Sequence, residues 1–241
     1  MKQADSGVDG LLVVDKPLSI TSMDVVRVVR RRAGKRKTGH AGTLDPLATG
    51  VLICCLGKAT RAVNLLMDLT KEYRTTIDLS AFTKTDDAEG EREPVEVESP
   101  PGVDQIREVL DTLTGDVTQV PPMYSAIKVG GERAYKLARK GHDVEMPPRV
   151  VRIDEIRLLD YDWPSLEIEV VAGKGTYIRS LARQIGEGLG TGGYLTALRR
   201  TAIGPYSIDR AIKLDDVPTP ITPELLLPIP ASTGSNPNLK L

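Results

Sequence analysis

The chain has 241 residues, with 32 Lys plus Arg against 33 Asp plus Glu, a formal net charge of −1, and 40% hydrophobic residues. A chain of this length buries on the order of 70% of its unfolded surface and needs neither disulfide nor metal to fold. The charge balance excludes a uniformly basic nucleic-acid coat and an acidic disordered tail protein.

In chain order, Gly10 to Val14 predicts a short strand that ends at Asp15-Lys16-Pro17. Thr21 and Ser22 are N-cap candidates for a helix that carries Val25, Val26, Val28 and Val29 and stops at Gly34. Lys37 to Gly50 reads as a tight loop, Val51 to Leu56 as a buried strand and Lys58 to Leu69 as a helix. Glu72 to Ala81 alternates, with Tyr73, Thr75, Ile77 and Leu79 on one face. Val103 to Leu113 has the pattern of an amphipathic helix. Tyr124 to Lys128 reads as a strand and Glu132 to Lys140 as a short basic helix. Arg149 to Leu159 and Leu166 to Ala172 are strands. Ile178, Leu181, Ala182, Ile185 and Leu189 mark one face of a helix that stops at Gly190. Strands and helices do not alternate one for one, which predicts an α+β fold with a mixed or antiparallel central sheet flanked by helices. Past Val217, prolines interrupt nearly everything. The division expected is one domain over residues 8–217 and a Pro-rich tail over 218–241.

The only cysteines, Cys54 and Cys55, are adjacent and form no C-x-x-C, so they read as two reduced, buried thiols. Met1 to Gly10 is polar, and the longest apolar run, Val51 to Leu56, is far shorter than the ~20 residues of a membrane span. A cytoplasmic protein without a membrane partner is expected.

Charge is segregated along the chain. Arg27 to Lys37 holds seven basic residues and no acid, Phe82 to Asp104 holds eight acids against Lys84 and Arg92, and Lys128 to Arg149 turns basic again. This pattern suits a polyanion partner on one face, and each run is also compatible with an ordinary solvated face. The acidic stretch is expected to face away from such a partner.

Two motifs lack their context. Gly188-x-Gly190-x-x-Gly193 follows a helix rather than a strand, so the dinucleotide-binding reading fails. His40 and His142 are the only histidines and have no zinc-ligand spacing. The informative segment is Lys37-Thr38-Gly39-His40-Ala41-Gly42-Thr43-Leu44-Asp45-Pro46-Leu47-Ala48-Thr49-Gly50. Its glycines let backbone approach a ligand closely, and Pro46 pushes Asp45 toward an extended backbone. From residue types alone the segment is a turn or an active-site loop.

G-H-x-G-T-L-D-P-x-A-x-G-V-L, following a basic stretch, resembles the signature of the TruB family of tRNA pseudouridine synthases. Further segments of the same kind follow the family's order: Leu12 to Pro17 with Thr21-Ser22, Lys71-Glu72-Tyr73, Pro121 to Lys128, Gly175 to Leu181, and Leu198-Arg199-Arg200. The likeness runs from about Val8 to Val217. It implies isomerisation of uridine 55 in the T-loop of tRNA to pseudouridine, without cofactor or metal. It places the indispensable aspartate on Asp45, its arginine partner on Arg179 and the active-site tyrosine on Tyr73. Tyr177 and Leu198 would line the pocket of the flipped uracil, and His40 would contact the RNA near the vacated base position. Lys16 and Pro17 would brace the Tyr73 region. Arg31 and Lys37, in the basic stretch, would meet phosphates, and residues 128–149 would form a mobile RNA-binding insertion. The C-terminal PUA domain of many bacterial members is not expected in the short tail. The expected partner is the T-arm of tRNA, bound by a monomer with no guide RNA. A guide-dependent relative of the box H/ACA type and a tRNA-folding chaperone are the alternatives.

Overall fold

In a computed structural model the described residues are 8–124, 128–129, 132–133 and 146–230. In chain order the strands are β1 (Gly10–Lys16), β2 (Thr38–Ala41), β3 (Ala48–Leu56), β4 (Lys71–Asp78), β5 (Ala81–Thr83), β6 (Arg92–Pro94), β7 (Gly115–Gln119), β8 (Lys128–Val129), β9 (Glu132–Arg133), β10 (Arg149–Asp162), β11 (Ser165–Ala172), β12 (Tyr194–Ile203), β13 (Tyr206–Ser207) and β14 (Ile212–Lys213). The α-helices are α1 (Ser22–Arg32), α2 (Val63–Asp68), α3 (Val103–Thr112) and α4 (Ile178–Leu189). The chain divides into two compact units, residues 1–72 with 199–241 and residues 73–198.

The first unit is built on β1 and β3, which pair antiparallel over their full length, Gly10 opposite Leu56 and Lys16 opposite Gly50. β14 adds to β1 in parallel and β2 adds antiparallel to β3, so the sheet is mixed. Both faces of β3 are covered, which is why its apolar run does not alternate. Leu12, Val14, Leu52, Cys54 and Leu56 face α1 residues Val25, Val26 and Val29. Leu11, Val13, Val51, Ile53 and Cys55 face the other way, against Ala59, Ala62 and Leu66. Each such fully buried aliphatic side chain contributes about 1.5–3 kcal/mol.

Helix α1 starts where Thr21 caps it. The Thr21 hydroxyl accepts from Asp24 N at 3.1 Å and Asp24 accepts from Thr21 N at 3.0 Å, a reciprocal capping box. The helix expected over Lys58 to Leu69 is a 3-10 segment, Gly57–Ala62, that continues into α2. The expected tail is part of this unit as far as it is described. Ile221 lies in the α1-side core, and Leu227 exchanges backbone hydrogen bonds with Leu11 at 2.9 and 2.8 Å.

In the second unit, β11 alternates as expected, with Leu166, Ile168, Val170 and Ala172 buried, and pairs antiparallel with β10, which in turn pairs with β7. β4 runs beside β11. The strand expected over Glu72 to Ala81 stops at Asp78. Its carboxylate accepts from Ser80 N at 2.8 Å and from the Ser80 hydroxyl at 2.5 Å, turning the chain into β5. α4 ends at Gly190, in the left-handed conformation at φ 69°. The neighbouring glycines of the false dinucleotide motif serve close packing, since a Cβ on Gly193 would sit 2.2 Å from the Ala182 carbonyl oxygen. Strands β6, β7, β12, β13 and β14 are absent from the sequence reading, and Lys37 to Gly50, expected as a loop, supplies β2 and the start of β3. The helix expected over Glu132 to Lys140 is corrected at Glu132–Arg133, which form β9 and pair antiparallel with β8, while the rest of it, residues 125–127 of the strand expected over Tyr124 to Lys128 and most of the 128–149 insertion lie outside the described residues.

Candidate active site

The residues singled out from the sequence divide between the units. Asp45, His40, Arg31 and Lys37 belong to the first, and Tyr73, Arg179, Tyr177 and Leu198 to the second.

Asp45 lies half-buried between β2 and β3, on a loop held through its main chain. Its own carbonyl accepts from Ala48 N at 3.0 Å. The Pro46 carbonyl accepts from Ser19 N at 2.9 Å and from Lys16 Nζ at 3.3 Å. Leu44 N donates to Ser22 Oγ at 2.8 Å, and the Ser22 hydroxyl donates to the Leu44 carbonyl at 3.0 Å. The Gly42 carbonyl accepts from Arg200 at 3.1 Å, while Arg200 Nε reaches the Val51 carbonyl at 2.8 Å. Gly50, at φ +99°, has to be glycine here, because a Cβ would sit 2.2 Å from the Arg200 carbonyl oxygen.

Lys16 is wholly buried and also donates to the Ile20 carbonyl at 2.7 Å. Burial pushes its ammonium down to about 8, with attraction to the Asp45 carboxylate pulling the other way. It remains mostly charged at neutral pH, a cation next to the loop's acid. His40 sits in β2, opposite Cys54. Burial, and then the Arg200 charge, hold its imidazole below the usual range, so it is neutral at pH 7. A hydrogen bond to the Gly42 main chain pulls the other way.

The second unit buries Arg179, which is 4% exposed. Its guanidinium donates to the Thr85 carbonyl at 3.1 Å and the Tyr124 carbonyl at 2.9 Å, and lies 3.4 Å from the Asp87 carboxylate. Asp87 accepts in turn from Thr85 Oγ1 at 2.5 Å and Glu89 N at 3.1 Å. Its neighbour Asp86, at φ 60°, pairs with Arg183 at 2.6 Å. Burial pushes the Asp86 carboxyl up to about 6, against the pull of Arg183 and Arg179. The alternative of an ordinary solvated face is therefore corrected for these two acids. They are buried because the α4 arginines supply the compensating charge.

Tyr177 is the N-cap residue of α4. Gln119, fully buried, holds both of its backbone groups, accepting from Tyr177 N at 3.0 Å and donating to the Tyr177 carbonyl at 3.3 Å. The Arg149 guanidinium lies 4.8 Å from the centre of the Tyr177 ring. Tyr73 is half-buried on the same strand face as Thr75, Ile77 and Leu79, and Leu198 is buried.

The basic stretch divides by role. Arg32 donates to the carbonyls of Leu214, at 2.9 Å, and Val217, and Arg36 pairs with Asp9 at 2.6 Å, so both are structural. Arg30, Arg31, Lys35 and Lys37 are exposed. Sequence reasoning missed the roles of Ser22, Arg200, Gln119 and the Asp86–Asp87 pair. Ser22 and Arg200 lie inside recognised motifs, whose spacing says nothing of what their side chains reach.

Residues 30–178 match the N-terminal domain of the TruB family pseudouridylate synthases, and residues 179–222 match the tRNA pseudouridylate synthase B C-terminal domain. Among curated relatives, the chain is 49% identical to the tRNA pseudouridine synthase B of Gluconobacter oxydans over 87% of its length and 63% of that protein's. It is 47% identical to the protein of the same name from Gluconacetobacter diazotrophicus, covering 97% of this chain and 78% of that one. For Bordetella avium the figures are 42%, 94% and 93%. Among solved structures, a Cbf5–Nop10–Gar1 complex has a similar chain, with TM-score 0.68 and 31% identity, over 86% of this chain and 53% of that one. An H/ACA RNP bound to a substrate RNA containing 2′-deoxyuridine gives 0.65 and 29%, over 86% and 52%. The chain thus spans about half the length of those solved relatives.

Proposed function

This chain belongs to the TruB family of pseudouridylate synthases, and from that premise we propose that it converts uridine 55 in the T-loop of tRNA to pseudouridine, with Asp45 as its catalytic carboxylate. In that reaction the C1′–N1 bond breaks, the uracil turns while bound, C5 joins C1′, and the proton lost from C5 is balanced by one gained at N1. Asp45 acts on the ribose, either by attack at C1′ or by removal of the 2′ proton. The observation that carries this reading is the loop itself. A half-exposed carboxylate stands on a main chain pinned at Gly42, Leu44 and Pro46, beside the buried ammonium of Lys16. Such prior fixing removes reorganisation from the chemical step.

Tyr73, Tyr177 and Leu198 line the site of the flipped uracil, where stacking replaces what the base loses on leaving the loop. Arg179 partners the catalytic carboxylate. His40, neutral, contacts the RNA near the vacated position. Arg31 and Lys37 meet phosphates, and the 128–149 insertion closes on the T-arm. The enzyme acts as a monomer and takes no guide RNA. The relatives named tRNA pseudouridine synthase B, at 42–49% identity, favour this over a guide-dependent role, which the solved H/ACA assemblies suggest at 29–31%.

The test is incubation with an unmodified T-arm stem-loop, without guide or cofactor, followed by chemical mapping of pseudouridine. Product at uridine 55 alone is expected. Asp45→Asn should lower the rate on the order of 10⁴-fold while leaving binding within a few-fold. Product from that variant would remove Asp45 from the reaction.

A further inference from the structure

We propose that Ser22 is a positioning residue for Asp45, acting through the backbone of Leu44. The proposal rests on the reading of Asp45 as the catalytic carboxylate.

A serine hydroxyl has one proton to donate and lone pairs to accept with. Here one neighbour takes both capacities. Oγ accepts from Leu44 N at 2.8 Å and donates to the Leu44 carbonyl at 3.0 Å. The residue before Asp45 therefore has both main-chain polar groups bound by a single side chain. Ser22 is 2% exposed and Leu44 4%, so water does not stand in for either bond. On the far side of Asp45, the Pro46 ring fixes φ, and Ser19 N and Lys16 hold the Pro46 carbonyl. Asp45 is held between two immobilised residues, and the direction of its Cα–Cβ bond follows from theirs.

The hydroxyl of Ser22 is not engaged in starting its own helix. Thr21 supplies the cap of α1, with Asp24 completing the box. Ser22 is the first residue of α1, and its side chain turns inward to the loop. The last turn of α1 carries the exposed Arg30 and Arg31. One hydroxyl thus joins the catalytic loop to the start of the helix whose far end presents positive charge, and RNA engaged by that end meets a loop already in register with it.

The experiment measures single-turnover pseudouridine formation at saturating T-arm stem-loop, with Kd and the melting curve taken in parallel, for Ser22→Ala, Ser22→Thr and Asp45→Asn. Misplacing a reacting group by about 1 Å costs on the order of 10²-fold. Ser22→Ala is expected to slow turnover by ~10- to 100-fold, per folded and RNA-bound protein, with Kd within about twofold. Ser22→Thr, which keeps the hydroxyl, is expected to recover most of the rate. Wild-type turnover by folded Ser22→Ala, or a Ser22→Thr rate no better than that of Ser22→Ala, overturns the proposal. Should Ser22→Ala not fold, Ser22→Cys carries the same comparison with a weaker donor of similar size. Product from Asp45→Asn would instead overturn the reading of Asp45, whatever Ser22 does.

Discussion

Lys16, Arg200 and Ser22 grip the loop around Asp45 through main-chain atoms, whereas the seat of Arg179 sets the carboxylates of Asp86 and Asp87 against the guanidinium groups of Arg183 and Arg179. The first arrangement leaves the acid half-exposed and fixes its direction. The second takes charges out of water and fixes them by mutual compensation. Hydrogen bonds to carbonyls are directional but contribute only about 0.5–1.5 kcal/mol each. A buried ion pair contributes little net stability while whole and costs heavily when one member is removed. Damage to the loop should therefore show in turnover at little cost in stability, and damage to the Arg179 seat in stability as well as turnover.

The largest break in that contrast comes from Asp87→Asn, which leaves the 4%-exposed Arg179 without the Asp87 charge. Urea unfolding should show a drop of about 3 kcal/mol in stability, the low end for a broken buried pair, because Asp86 still faces the same guanidinium. A drop below about 1 kcal/mol would make the two regions alike.

Asp86 gives a pH test of the same seat. Its carboxyl stands at about 6 against an ordinary 3.8. Between roughly pH 4 and pH 6 the folded chain holds this proton and the unfolded chain does not. The Asp86 contribution to stability therefore falls as pH rises through that window and is level above it. The whole change is at most about 3 kcal/mol. Asp86→Asn should remove it, and the urea midpoints of wild type and variant, followed from pH 4 to 8, should converge on the acid side. Parallel midpoints would mean that Arg183 fully offsets the burial.

The smallest effect sharpens the loop's side of the comparison. Arg30→Ala with Arg31→Ala should change stability by less than about 0.5 kcal/mol, since both residues are exposed. The slope of log Kd against log salt for the T-arm should fall by about 1 for each phosphate that the variant no longer neutralises. An unchanged slope would remove this end of α1 from the RNA.

Much of this could be read along the chain. The valines of α1, the apolar run of β3 and the face of α4 that stops at Gly190 are local patterns, and the structure follows them. The α+β class followed from their order. Asp45 stood out because Gly-rich loop, Asp-Pro and neighbouring motifs are contiguous. What fixes Asp45 was not legible, because Ser22 and Arg200 reach main-chain atoms 22 and 158 residues away. A main-chain partner leaves no complementary side chain to find. Thr21 and Ser22 looked equivalent as caps, and only the packing of α1 against the loop turns one outward and the other in. Arg36 was grouped with the RNA-facing charges by proximity, although Asp9, 27 residues earlier, holds it. Strand β12 was hidden because Thr196 and Ala197 are exposed in its middle and break the alternation. Asp86 and Asp87 read as solvated acids for want of any local sign that α4 would bring arginines to them.

The two thiols of the chain lie back to back on β3, Cys54 toward α1 and Cys55 toward the opposite layer, both fully buried. Burial pushes Cys55 up to about 11 and Cys54 higher still. Neither offers a thiolate to an alkylating reagent near neutral pH, since reactivity follows the ionised, accessible form. The folded protein is in effect a thiol-silent background. A single cysteine placed at an exposed position such as Lys37 would take a fluorophore or crosslinker alone, with the native pair left in place.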